Sequence, residues 1–315
     1  MPRRRLLLPL ALVAVGAAGW LYTPDRDRRA LEARYLARPT DLREVDGVSL
    51  HVRDTGPREA PVLVLLHGLG ASLHTWEPWA RALSHRYRVV RFDFPGHGLS
   101  GAGPGNDYRD ERTHRLLAAL LDTLGIDRAT LVGNSMGGRI AWSFAAAVPT
   151  RVERLVLIAP DGFASPGFAY DTPAEVPTVL DVMRWVLPRL MLKANLAPAY
   201  ADPSRLNDTV VTRYHDLLRA PGNRTALLTR MRQTQLTDPV PQLRRLTVPT
   251  LLLWGAQDRM IPVQNAQDYR AAMPHAELVM LEGLGHLPFE EAPATALPPF
   301  LAFLERTSGS RPPPA

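Results

Sequence analysis

"LVGNSMGG", Leu131 to Gly138, is the stretch whose reading decides the fold. A serine stands among glycines, after an apolar run and before a run with helical spacing. Glycine weakens strands and helices alike. Gly133, Gly137 and Gly138 therefore serve something other than local stability. "ATLVG" reads as a short buried strand, and "MGGRIAWSFAAAVP" as a helix stopped at Pro149. Ser135 then occupies a sharp strand-to-helix turn. Such a turn leaves little room beside the serine, and Gly133 and Gly137, two residues to either side, remove the side chains that would clash. The hydroxyl projects above the sheet, next to the free N–H groups of a helix N-terminus. This is the G-x-S-x-G arrangement of a nucleophile elbow.

Outward from the elbow, strands and helices alternate at short intervals. "REVDGVSLHVRD" reads as a hairpin about Asp46-Gly47. "PVLVLLH", "YRVVRFD" and "RLVLIAP" read as strands buried on both faces. "TWEPWARALS" and "DERTHRLLAALLDTLG" have helical spacing. This pattern predicts an α/β fold, with a mostly parallel central sheet and flanking helices. The alternation stops over residues 161–240, which carry many prolines and amphipathic pieces such as "VLDVMRWVLPRLMLK", and it resumes with "PTLLLWG" and "AELVMLEG". The expected organisation is a core of residues 42–160 and 241–305 interrupted by a helical insertion at 161–240, with a disordered tail at 306–315.

A serine hydroxyl needs a base to become a nucleophile. Among nine histidines, His286 in "LEGLGHLPFEEAP" lies just past the last apolar strand, where an open α/β sheet places its reactive groups. His51, His85, His114 and His275 read as surface residues, and His67 and His97 as residues that fix loops. The base needs an acid to hold its tautomer. Asp258 and Asp161 each follow a buried strand; Asp258 is preferred because "WGAQDRMIP" ends a strand and opens a helix at a proline. The chain order is then Ser135, Asp258, His286. The backbone N–H groups of Leu69, in "LLHGLGAS", and of Met136, just after the serine, form the expected oxyanion hole.

Bulk composition narrows the classes. The 46% hydrophobic content suits a sizeable core. The net charge of +6 is mostly scattered arginine, with no basic run interleaved with aromatics, so no nucleic-acid partner is expected. The chain has no cysteine, which excludes disulfides, thiolate nucleophiles and cysteine-type zinc sites. No cofactor or metal is implied. At the N-terminus "MPRRR" precedes Leu6–Tyr22, 17 residues without a charge. Residues 1–23 read as a retained membrane anchor or, with Val15-Gly16-Ala17 as a cleavage site, as a signal for export. Residues 24–41 read as a charged helical connector, long enough to hold the catalytic domain clear of a bilayer.

"HGLG", "DFPGHGLS", "GNSMGG", "WGAQDRMIP" and "GLGHLPFEEAP" stand in this order from about Leu42 to Glu305, and in them the chain resembles the α/β-hydrolase fold superfamily, serine-nucleophile branch. "GNSMGG" is similar to the esterase and meta-cleavage-product hydrolase branches. The resemblance implies that residues 161–240 cap the substrate pocket, and that a small-molecule ester is cleaved through an acyl-enzyme. Two other readings stay open: hydrolysis of a carbon–carbon bond in a dienoic ketone, and a hydrolase-fold binding protein with little turnover. In the carbon–carbon hydrolases tryptophan often follows the catalytic histidine; here that residue is Leu287. Trp185, Met183, Leu187 and Met191 form an apolar stripe that suggests a mid-sized apolar acyl group.

Overall fold

The computed structural model describes residues 21–165 and 169–308. The tail residues 309–315 and all but the last two residues of Leu6–Tyr22 lie outside that range. Helix α1 (Arg28–Tyr35) precedes the hairpin of β1 (Leu42–Val45) and β2 (Val48–Thr55). Its turn is Asp46-Gly47, both with positive φ (48° and 75°), the backbone that a two-residue hairpin loop requires. Next come β3 (Val62–Leu66), α2 (Glu77–Leu83), β4 (Arg88–Phe92), α3 (Asp110–Thr123) and β5 (Ala129–Asn134). Helix α4 (Met136–Ala147) and β6 (Val152–Ile158) complete the first half.

The insertion between β6 and β7 is helical. It holds a 3₁₀ turn at Thr178–Arg184, α5 (Arg189–Leu196), α6 (Asp208–Leu218) and α7 (Asn223–Gln233). The amphipathic piece "VLDVMRWVLPRLMLK" is thus divided between the 3₁₀ turn and α5. Pro188 has no N–H to give and disfavours helical backbone at Leu187, so the 3₁₀ turn ends and α5 starts afresh. The core resumes with β7 (Thr250–Gly255), α8 (Gln264–Ala272), β8 (Glu277–Leu281) and α9 (Pro293–Thr307).

The sheet has eight strands in the order β1-β2-β4-β3-β5-β6-β7-β8. Only the β1–β2 and β2–β4 pairings are antiparallel. Apolar side chains cover both faces. One face packs on α3, α4 and α8 through Leu116, Ile140 and Tyr269, and the other on α2 and α9 through Trp79 and Phe300. After β3 the chain crosses to β4 on one side, then returns to lay β5 on the other. The strand order therefore reverses between β3 and β5. In an open α/β sheet a ligand crevice opens at the carboxyl ends of the strands flanking such a reversal. The loop at 67–72 and Ser135 leave those two ends.

The segment expected to be a spacer, residues 24–41, is packed instead. Leu31 and Tyr35 of α1 are buried against Leu99, Leu217 and Ala220. The buried carboxylate of Asp216 on α6 receives Arg26, Arg34 and the Tyr35 hydroxyl. His51 also departs from expectation. It is fully buried, because β2 is an interior strand covered on both faces, and its Nδ1 lies 2.8 Å from Asp93 Oδ2.

Candidate active site

Ser135 is the residue before α4, with φ 53° and ψ −124°. A non-glycine residue held there is strained, on the order of 1–3 kcal/mol. The neighbouring glycines explain how the turn closes. A Cβ on Gly133 would stand 2.2 Å from the Gly137 carbonyl oxygen, and one on Gly137 would stand 2.3 Å from the oxygen of Leu66. The start of α4 is thereby pressed onto the end of β3. A Cβ on Gly68 would fall 3.3 Å from Ser135 Cβ, so the loop after β3 runs directly beside the serine. Ser135 itself is half-buried.

His286 and Asp258 come together from the ends of β8 and β7. His286 Nδ1 lies 2.8 Å from Asp258 Oδ2. Asp258 Oδ1 accepts the N–H groups of Met260 and Ile261 at 2.8 and 3.0 Å, which fixes the carboxylate in its turn. Asp161, the other acid that the sequence offered, is engaged elsewhere. Its Oδ1 accepts Arg139 Nε at 2.7 Å, and Arg139 also pairs with Asp110. Ser135 Oγ makes no hydrogen bond to a described residue in this structure. The serine and histidine loops are joined one residue away: Asn134 Nδ2 donates to the His286 carbonyl at 3.1 Å and to that of Ile158 at 3.0 Å.

The family model for the alpha/beta hydrolase fold matches residues 61–293, a span that contains every one of these groups. The chain belongs to the α/β-hydrolase fold family. Among α/β-hydrolase relatives, a 2-hydroxy-6-oxononadienedioate/2-hydroxy-6-oxononatrienedioate hydrolase of Burkholderia vietnamiensis is 34% identical over 76% of this chain and 86% of its own length. Two solved structures are each 28% identical. A membrane phospholipase A covers 98% of this chain and 100% of its own, with a TM-score of 0.73. The enol-lactonase of Burkholderia xenovorans covers 83% and 98%, with a TM-score of 0.72.

In this α/β-hydrolase chain the two backbone N–H groups expected to form an oxyanion hole are unpaired among the described residues. Neither the N–H of Leu69 nor that of Met136 has an acceptor among the described residues. Met136 is the first residue of α4, where the first N–H groups of a helix are unmet and the macrodipole favours negative charge. His67 shapes the loop that carries Leu69. Its Nδ1 donates to the Gly68 carbonyl at 2.8 Å, and its Nε2 accepts the N–H of Phe94 at 3.0 Å. Full burial pushes its pKa down to about 4, so the ring is neutral at pH 7 and can play both parts.

Three groups that sequence reading passed over complete the surroundings. Asn134 ends a strand that is otherwise apolar or glycine beyond Thr130, and that break in composition is its signal. Glu291 lies five residues after His286; its carboxylate accepts Gly285 N at 2.8 Å and Asp202 N at 2.9 Å, tying the histidine loop to the insertion. Asp93, in "DFPGHGLS", accepts from Leu73 N, Leu99 N and His51. Burial alone would raise its carboxyl, but the His51 imidazole beside it holds it well below the usual carboxylate range.

Proposed function

We propose that this chain is a serine hydrolase of carboxylic esters, working through an acyl-enzyme. The observation that carries the reading is the strained Ser135 at the head of α4, with the Asp258–His286 pair delivered beside it through Asn134. Ser135 Oγ attacks the ester carbonyl carbon while His286 Nε2 takes its proton. The negative oxygen of the tetrahedral intermediate is held by the N–H groups of Leu69 and Met136. His286 then gives the proton to the departing alkoxide, leaving the acyl group on Ser135. Water, deprotonated by His286, releases the acid and restores the serine. Asp258 keeps the Nδ1–H tautomer and stabilises the imidazolium as it forms. The insertion at 161–240 serves as the cap over the acyl group.

The expected specificity stripe enters this reading altered. Met183 and Leu187 pack inward with Leu192 and Tyr214, whereas Trp185 and Met191 face outward. Only the first two are in a position to influence an acyl group from the inner side of the insertion. We further place the enzyme at a membrane through Leu6–Tyr22. At 1.5 Å per residue its 17 uncharged residues reach roughly 25 Å as a helix. Among the described residues no helix is long and apolar enough to cross a bilayer, and all but the last two residues of this segment lie outside them. The similarity to a membrane phospholipase A over nearly the whole chain supports both parts.

A second reading, hydrolysis of a carbon–carbon bond in a dienoic ketone, is favoured by the relative that is 34% identical. Leu287 after His286, buried among apolar side chains, favours the ester. Side-by-side assay of p-nitrophenyl esters of graded acyl length and of a ring-fission ketone separates the two. Ester turnover with a chain-length optimum is the expected result; turnover of the ketone alone contradicts it. Carbonate extraction and the mature N-terminus test the anchor: a chain that stays with membranes and keeps Leu6 supports it, and one that begins near Ala18 overturns it.

A further inference from the structure

Among the described residues most of the exposed large apolar side chains are gathered in one part of the chain. Of nine exposed large apolar side chains among the described residues, five lie between Val179 and Met191 of the insertion, and two more, Leu21 and Tyr22, end the N-terminal apolar segment. The pattern has a regular cause. Val179 and Val182 are spaced by three, which stacks them on one face of the 3₁₀ turn, and Trp185 follows directly at its C-terminal end. They are 70%, 49% and 56% exposed, whereas Met183 and Leu187 turn inward. Leu190 and Met191 continue the outward face at the start of α5, with Leu190 79% exposed, while Leu192 is buried. A contiguous apolar face of this kind marks a contact with a partner or a membrane.

The N-terminal segment leaves the fold at the same place. Thr23 N donates to the Trp185 carbonyl at 2.7 Å, and Thr23 Oγ1 accepts Leu187 N at 3.1 Å. Arg224 donates to the Thr23 carbonyl at 2.7 Å and also pairs with Asp25. Tyr22, the last of the 17 uncharged residues Leu6–Tyr22, is therefore followed at once by a residue fixed to the insertion. Three basic residues share this segment: Arg184 pairs with Asp181 and Arg189 with Asp208, and Lys193 follows one turn on; long basic side chains suit the headgroup layer, where their stems stay in apolar surroundings.

We propose that the outward face Val179–Met191 is a lipid-docking surface that lies in the interfacial layer of a phospholipid bilayer. This inference rests on the reading of Leu6–Tyr22 as a membrane segment. The pinned exit at Thr23 sets the orientation: the insertion faces the lipid, and the far end of the sheet faces water. Aromatic and apolar side chains at headgroup depth hold the molecule there, as they do in interfacial helices. The insertion reaches the histidine loop, since the Ala199 carbonyl accepts His286 N at 2.9 Å. An ester drawn from the bilayer would thus meet the enzyme on the side where Ser135 and His286 lie.

The absence of cysteine gives a clean test. Full-length Leu190→Cys and Val179→Cys chains, each carrying one nitrobenzoxadiazole label, are mixed with vesicles of phosphatidylethanolamine and phosphatidylglycerol. A Thr123→Cys label reports the opposite end, at the exposed C-terminus of α3. The proposal expects blue-shifted emission at 190 and 179, quenched several-fold more than at 123 by a nitroxide in the lipid acyl region. A chain that floats with the vesicles while both insertion labels stay water-exposed overturns the docking surface and leaves the anchor standing. A chain that does not float overturns both. A blue shift without lipid that grows with protein concentration assigns the face to a second copy and overturns the proposal. None of these readouts depends on ester turnover, so the catalytic reading stands or falls separately.

Discussion

Ser135 holds a backbone conformation that glycine adopts without penalty, so its side chain is present against the local preference. Ser135→Gly is expected to abolish ester hydrolysis and still stabilise the fold by about 1 kcal/mol, read as a melting temperature higher by roughly 2–4 °C. A lower melting temperature would mean that the strain at this turn is not real. The two aspartates give a sharper contrast at the same scale. Asp258 spends one oxygen on His286 and the other on its own turn, whereas Asp161 is held by Arg139. Asp258→Asn is expected to lower kcat by on the order of 10⁴-fold, because the amide presents the wrong partner to Nδ1–H. Asp161→Asn weakens an ion pair under α4 and is expected to lower the melting temperature with kcat nearly unchanged. Steady-state kinetics of the two variants reads the difference, and the reverse order would move the acid to the end of β6.

At the scale of elements, α1 carries the clearest prediction. Leu31 is buried against Leu99, Leu217 and Ala220, so Leu31→Ala leaves a cavity and is expected to destabilise by about 2–3 kcal/mol. Thermal unfolding checks it; a freely hinged connector would show no change. This helix marks the limit of what the sequence makes legible. The buried strands are plain in "VLVLL", "TLVG", "LVLI" and "TLLLWG", because both-face burial demands unbroken apolar runs, and the elbow is plain because its glycines have no other use. The fate of "DRRALEARYLARP" is not plain. Only Leu31 and Tyr35 of α1 are buried, and the segment is fixed largely by Asp216 and Arg224, far away in sequence. His51 was obscured for a related reason: its strand looks half-exposed until Asp93, forty-two residues on, folds against it. Of the candidate site, Ser135, Asp258 and His286 could be named from strand ends alone. Asn134 and Glu291 could not, since each acts by joining a loop to a segment that only the tertiary fold brings near.

For the whole molecule, imidazoles shielded from water set the acid limit: His67 and His74 are buried, and His114, read from sequence as a surface residue, is half-buried. Burial is the first cause in each case, pushing His67 down to about 4, His74 down to about 3 and His114 down to about 4. All three are neutral when folded at pH 7, while in the unfolded chain they bind protons near an ordinary histidine value of about 6.5. Below that pH the unfolded state holds more protons, so stability is complete above about pH 6.5 and falls as the pH drops toward about 4. Asp93, held below the usual carboxylate range, adds a further loss only at lower pH. Melting temperatures are expected to be flat from about pH 8 to 7 and to fall between about pH 6.5 and 4, and His114→Gln is expected to flatten that slope. An unchanged slope in the variant would show that His114 is not held neutral in the fold. The proposed catalysis depends first on Ser135 acting as the nucleophile at the junction of β5 and α4. Its most direct test is peptide mapping by mass spectrometry after reaction with a fluorophosphonate. A single adduct on Ser135 is expected in the wild type, a much slower one in Asp258→Asn, and none in Ser135→Ala; an adduct on another residue, or labelling that survives in Ser135→Ala, would rule Ser135 out as the nucleophile.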